Sequence, residues 1–254
     1  MEVPDFEAIR NIKERKRSFF DFMRPIVRAE NARVWKKRRR MMDLYLEYLG
    51  GEGIAPADSI WTMNLAEEYG VRNFSVGSDK AWTTLRRRVD TIPLALALVQ
   101  AANESGWGSS RFAREGNSLF GQWCHGPACG MVPEGRRQGE THKVARFPSV
   151  NQSVRSYIRN LNTHPAYREM RRLRLEQRCS GESPNPYLLA SCLVSYSERG
   201  EKYLEDIRRM LLTNRPYMGL YRPDPPVVSK DSMDSSGIDE PSDVASGGTR
   251  GEGS

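Results

Sequence analysis

Apolar residues recur at helical spacing along most of the chain. Phe19, Phe20, Phe22, Met23, Ile26 and Val27 open one apolar face. It continues through Val34, Trp35, Met41, Met42, Leu44, Tyr45, Tyr48 and Leu49 until Gly50-Gly51 stops it. Pro25 is expected to kink or restart this helix. Two further helices are predicted over 58–69 and 79–89. The segment 93–105 is apolar on nearly every side (Leu94, Ala95, Leu96, Ala97, Leu98, Val99, Ala101, Ala102), which predicts a buried helix. Short runs with strand character follow at 120–123, 131–132 and 143–147, with a Gly-rich turn over 135–139, and together they predict a small hairpin lobe. Helical periodicity resumes over 150–162, 165–178, 187–196 and 201–213. The chain reads as mainly α, with no internal repeat.

From Arg222 on the periodicity ends and Pro, Ser, Gly and Asp dominate, so a disordered tail is expected over 222–254. That tail carries three cations against seven anions, a net of −4, so the chain's +7 leaves +11 on the first 221 residues. Such a basic body suggests an anionic partner: nucleic acid, anionic lipid or an acidic cell-wall polymer. No stretch approaches the ~18 apolar residues of a membrane span. The basic run at 36–40 (Lys36, Lys37, Arg38, Arg39, Arg40) is either a nucleic-acid patch or, the favoured reading, a solvated helix face.

Four cysteines are present. Cys124 and Cys129 bracket a short loop with Gly126 and Pro127 that would hold a disulfide in an oxidising compartment. Free thiols, or a metal site recruiting His125 and His142, are the other readings, but no second paired motif supports a metal. Cys179 and Cys192 are expected to be buried small apolar residues. The start, Met1-Glu2-Val3-Pro4-Asp5-Phe6, has no basic stretch followed by an apolar one, so no signal peptide is expected within this chain.

One position carries chemistry. Glu104 sits at the C-terminal end of the apolar helix, followed by Ser105-Gly106-Trp107-Gly108. Burial and the negative end of the helix dipole both disfavour its ionised form and raise its pKa. A glutamic acid that keeps its proton near neutral pH suits general-acid glycoside cleavage. Gly106 and Gly108 would end the helix and open the carboxyl to a cleft walled by Trp107. The competing reading pairs Glu104 with Arg111 or Arg114. Asn117, Phe120, Gln122 and Trp123 follow, and amides with flat apolar faces are what a sugar groove needs. For Phe120 core packing is the favoured role.

The runs Ala101-Ala102-Asn103-Glu104-Ser105-Gly106-Trp107-Gly108, Ser110-Arg111-Phe112-Ala113 and Gly116-Asn117-Ser118-Leu119-Phe120-Gly121 resemble the glucosaminidase family of bacterial cell-wall hydrolases, and more narrowly its Bax-type members. Further support comes from the run 19–27, Gln122-Trp123-Cys124, Cys129-Gly130-Met131-Val132-Pro133, the run 160–167 and Ser195-Tyr196-Ser197-Glu198-Arg199-Gly200. The resemblance covers roughly 18–214. It implies a lysozyme-like helical domain with a small β-hairpin lobe, over 91–221. An extension (1–17) and N-terminal helices (18–90) precede it.

The same resemblance implies Glu104 as catalytic acid and Tyr196 as the tyrosine that supports catalysis or holds the N-acetyl sugar. Ser197-Glu198-Arg199 stands here where the family has Ala-Thr-Asp-Pro. A second carboxylate on the β lobe is implied; of Glu134 and Glu140, Glu140 is preferred. An inverting enzyme would hold it roughly 6.5–9.5 Å from the acid, a retaining one at about 5–5.5 Å, and a substrate-assisted one would use the 2-acetamido group instead.

The expected function is cleavage of the β-1,4 bond after N-acetylglucosamine in peptidoglycan, in the periplasm or cell envelope. No cofactor, metal or nucleic-acid partner is expected. The alternatives are a lytic transglycosylase using the same glutamate and a non-catalytic wall- or nucleic-acid-binding protein.

Overall fold

The computed structural model describes residues 3–219 other than 52, 125, 127, 128, 135, 137, 138 and 140. The tail over 222–254, His125 and Glu140 therefore lie outside the described residues.

The first helix, α1 (Ile12–Leu49), begins where Asn11 Oδ1 accepts from the backbone of Lys13 and Glu14. It runs 38 residues without restarting at Pro25. Phe19, Phe20 and Met23 before the proline and Ile26 and Val27 after it enter one core. At about 1.5–3 kcal/mol per buried side chain, that shared burial outweighs the roughly 3 kcal/mol cost of an interior proline. Next come α2 (Pro56–Glu68) and α3 (Asp79–Arg88), which close a second core on the far part of α1 around Met41, Leu44, Leu65, Trp82 and Leu85. The helix α4 (Leu94–Ser105) is central: its residues from Leu96 to Ala102 are all buried. This is the burial its apolar composition predicts.

A short helix that periodicity did not reveal, α5 (Arg111–Gly116), starts at the Ser110 cap; six residues are too few to show a period. The β lobe follows. Its strands β1 (Trp123–Cys124), β2 (Gly130–Met131) and β3 (Lys143–Ala145) form an antiparallel sheet in the order β1-β3-β2. Trp123 and Met131 both register against Val144. A hairpin is expected from the sequence; the sheet is instead three-stranded, with the last strand in the middle. Gly130 permits this approach, because a Cβ there would stand 2.1 Å from the Val144 carbonyl oxygen.

The chain then forms α6 (Val150–Thr163), a 3-10 turn (Pro165–Tyr167), α7 (Arg168–Cys179), α8 (Pro186–Ala190), a second 3-10 turn (Val194–Tyr196) and α9 (Glu201–Thr213). The single helices expected over 165–178 and 187–196 are each divided. Tyr167 has non-helical backbone at the start of α7. The turn after Ala190 buries Leu193 and lays Tyr196 against Tyr203. α1 and α9 both pack on α4, and α6 packs on α1. The architecture is mainly α with a small β lobe, as a lysozyme-like domain requires. Among the described residues no helix is long and apolar enough to cross a membrane.

The basic run is more than a solvated face. Arg38 is buried, donates to the Arg86 and Val89 carbonyls and lies 3.4 Å from Asp90. Lys37 pairs with Glu68, and Arg40 pairs with Asp58 while its guanidinium covers Trp61. Lys36 and Arg39 are exposed. Cys179 is also not buried: it ends α7 on the exposed side beside Arg86, and Cys192 is half-buried.

Candidate active site

Three left-handed residues in succession end α4: Gly106 (φ 57°), Trp107 (φ 61°) and Gly108 (φ 79°). The Gly106 and Trp107 amides return to the α4 carbonyls, Trp107 bonding Ala102 at 2.8 Å. Ser105 locks the turn, donating to the Ala101 carbonyl at 2.6 Å and accepting from the Gly108 amide at 2.8 Å. Gly108 must lack a side chain, because a Cβ would meet the Phe6 ring at 2.6 Å. Glu104 thus sits on the last turn of a buried helix whose end is held rigidly.

Its carboxylate is half-buried. Oε1 accepts from Asn103 Nδ2 at 3.2 Å, and the Tyr203 hydroxyl hydrogen-bonds to the same group. Oε2 faces Gly121, where a Cβ would stand 3.3 Å away. Burial raises the Glu104 pKa; the bonds from Asn103 and Tyr203 and the charge of Arg199 offset part of that rise. Arg111 and Arg114 do not neutralise it. Arg111 pairs with Glu134 at 3.2 Å and Glu115 at 3.8 Å, and Arg114 pairs with Glu7. Among the described residues Glu104 makes no ion pair, so the pairing alternative gives way to an acid in a polar, half-buried setting.

Behind Glu104 runs a directed relay. The Tyr157 hydroxyl donates to Gln100 Oε1 at 2.7 Å, and Gln100 Nε2 donates to the Tyr203 oxygen at 2.8 Å. With its oxygen accepting from the amide, the Tyr203 proton is free to reach the Glu104 carboxylate. Gln100 and Glu104 are four residues apart and so share one face of α4. Neither Gln100 nor Tyr203 was singled out from sequence. Gln100 had a signal: it is the only polar residue between Leu94 and Ala102.

Tyr196 stacks on Tyr203 (5.5 Å, 7°) and its hydroxyl donates to the Phe120 carbonyl at 3.1 Å. Tyr167 lies 6.1 Å from the Tyr196 ring. Burial, and then the neighbouring Glu104 charge, raise the pKa of Tyr203; burial, with Glu104 a smaller contributor, does the same for Tyr157, Tyr167 and Tyr196. All four phenols therefore stay protonated, and Tyr157, Tyr196 and Tyr203 act as donors.

The remaining sequence candidates are spread around this centre. Phe120 is buried and stacked on Tyr157 at 3.9 Å. Gln122 donates to Ser156 Oγ at 3.1 Å, and its buried Oε1 has no partner among the described residues. Asn117 ends α5 in left-handed conformation and donates to the Phe147 carbonyl, tying α5 to the β3 exit. Trp123 is 55% exposed and stacked on His142 at 4.4 Å, an open aromatic face on the lobe. The Trp107 ring packs against Phe19 and Phe20 of α1 beneath Lys16. Cys124 and Cys129 form a disulfide with a Cα separation of 6.0 Å, bridging β1 to the approach of β2. Glu134 is exposed and engaged with Arg111, while Glu140 lies outside the described residues. Among the described residues no group of three or more His, Cys, Asp or Glu is placed to hold a metal ion.

A half-buried carboxylic acid with a raised pKa, phenol donors behind it and amides and an aromatic face beside it can protonate a leaving oxygen on a polar, flat-faced substrate. Comparison with known proteins agrees in kind. Residues 79–213 match the family model for glucosaminidase, described as mannosyl-glycoprotein endo-beta-N-acetylglucosaminidase. The chain is 32% identical over 201 residues to Protein bax of Escherichia coli (strain K12), covering 79% of this chain and 70% of that protein. No solved structure matches it significantly.

Proposed function

The chain belongs to the glucosaminidase family, and from that premise we propose that it hydrolyses the β-1,4 bond after N-acetylglucosamine in peptidoglycan, with Glu104 as general acid. The observation that carries the reading is the Glu104 carboxyl: half-buried, with a raised pKa, unpaired with any described cation, and given room by Gly121. It delivers its proton to the glycosidic oxygen as the bond breaks. Asn103 and Tyr203 both bond the carboxyl, so the proton leaves from a defined position. Tyr196 steadies the sugar or the oxocarbenium-like transition state. Trp123, Gln122 and Asn117 line the approach, Phe120 backs it, and Trp107 braces the end of α4 against α1. Glu140 is assigned as second carboxylate on the resemblance alone. The basic body and this substrate support a location in the periplasm or cell envelope.

Digestion of purified sacculi followed by mass spectrometry of the products tests the proposal. New reducing-end N-acetylglucosamine that disappears in Glu104→Gln supports it. Anhydromuramic ends would show a lytic transglycosylase, and clearing that survives Glu104→Gln would remove Glu104 from the chemistry.

A further inference from the structure

A second polar site lies on the N-terminal side of the molecule. A cleft of about 520 Å³ is lined by Arg72, Lys80 and Arg88 together with Asn73, Ser78 and Pro165. Its positive charge is not neutralised: among the described residues Arg72, Lys80 and Arg88 have no carboxylate within ion-pair distance. Two acids of the neighbouring helices are engaged elsewhere: Glu68 pairs with Lys37, and Asp79 accepts from the Tyr48 hydroxyl. Arg88 is anchored, donating to the Tyr69 and Gly70 carbonyls at 2.8 and 2.7 Å. Gly70 is shaped around it, with φ +68° and space for a Cβ only 3.0 Å from Arg88 Nη1. Its charge also bears on Arg171, whose pKa is lowered by burial first and then by Arg88, Arg174 and Arg168. Bringing like charges together costs free energy that a bound anion would return.

The position of the cleft names the anion. Pro165 lines it, and Tyr167, at the other end of the same 3-10 turn, lies beside the tyrosines around Glu104. A ligand held there shares one turn of backbone with the candidate active site.

We propose that this cleft binds the stem-peptide carboxylates of the peptidoglycan strand whose sugars occupy the Glu104 site. Arg72, Lys80 and Arg88 take the carboxylates, and Asn73 and Ser78 offer hydrogen bonds to the peptide amides. The inference rests on peptidoglycan as the substrate, and it makes the enzyme favour peptide-bearing over naked glycan.

The test uses the full chain carrying Arg72→Glu and Lys80→Glu, both exposed positions, with Arg72→Ala and Lys80→Ala as a milder pair, all checked for an unchanged melting temperature. Binding is measured by co-sedimentation with intact sacculi and with glycan strands stripped of peptides by an amidase. Measuring it in a Glu104→Gln background keeps binding independent of cleavage. The expected result is a loss of affinity of about tenfold for peptide-bearing sacculi and no loss for stripped strands. Equal loss on both, or no loss on either, overturns the proposal. So does a larger loss for double-stranded DNA or phosphatidylglycerol vesicles than for sacculi, which would make the cleft a phosphate site. Absence of cleavage by the parent protein sinks the enzymatic reading alone, since the binding comparison still decides the cleft.

Discussion

Gly121 and Glu104 meet across the site: a Cβ on Gly121 would stand 3.3 Å from Glu104 Oε2, and Gly121 has φ +60°. The backbone favours glycine here, and a Cβ would crowd the carboxylate. Gly121→Ala is expected to lower stability by roughly 1–2 kcal/mol through the left-handed backbone. It also presses on the carboxylate, which must give by a few tenths of an ångström and so leaves its place. Turnover on sacculi should therefore fall far more than the unfolding free energy. A variant with parental turnover would show that the contact does not position Glu104.

Tyr203→Phe separates the relay from the acid. The Tyr203 bond favours ionised Glu104, so removing it raises the Glu104 pKa further. The alkaline limb of the pH–rate profile should move to higher pH. Gln100 Nε2 loses its acceptor at the same time, at a cost of about 1–3 kcal/mol in stability. A profile that does not move, or moves to lower pH, would contradict the hydrogen bond to Glu104.

Much of this site was legible in local sequence. The apolar run of α4, the acid at its end and the glycines behind it are all within fifteen residues, and helix periodicity with capping rules suffices to read them. The Gln100–Tyr203 contact spans 103 residues, so no local pattern encodes it. Trp107 shows a different limit. A left-handed residue after a helix cap sends its side chain where the turn dictates, and here that is onto Phe19 and Phe20. The proline inside α1 misled for a related reason. Its cost is local, while the burial that overrides it comes from helices more than sixty residues away.

Glu104→Gln is expected to lower turnover by about 10²–10⁴-fold, the contribution typical of general acid catalysis. It should also stabilise the protein at neutral pH. Burial raises the folded-state pKa above the ordinary 4.5, so the folded protein holds this proton to higher pH than the unfolded chain does. The ionisation penalty is absent below about pH 4.5, grows as pH rises through the shifted pKa, and is missing in the amide. Thermal melts should show the variant above the parent at pH 7, with the gap closing near pH 4. A gap independent of pH would mean that Glu104 titrates as a solvated carboxylate.

Asp90, just before α4, ties α1 to α7. It is fully buried, 3.4 Å from Arg38 of α1 and within 3.2–3.7 Å of Arg178 and Arg174 of α7. Burial alone would raise its pKa, but Arg174, Arg38 and Arg178 together outweigh that and hold it below the ordinary 3.8. Asp90→Asn leaves three guanidinium groups without their shared counter-charge, one of them with no exposed surface. Breaking a buried ion pair this way costs about 3–5 kcal/mol. Urea unfolding should show the midpoint falling with the slope unchanged. The sign with pH is the reverse of that at Glu104. A depressed folded-state pKa adds stability above about pH 3.8 and loses it as pH falls through the lower folded value. The difference between parent and variant should therefore be full at pH 7 and narrow only below pH 3.8. A variant as stable as the parent at pH 7 would show that the carbonyls of Thr91, Arg87, Arg86 and Val89 hold these arginines without Asp90.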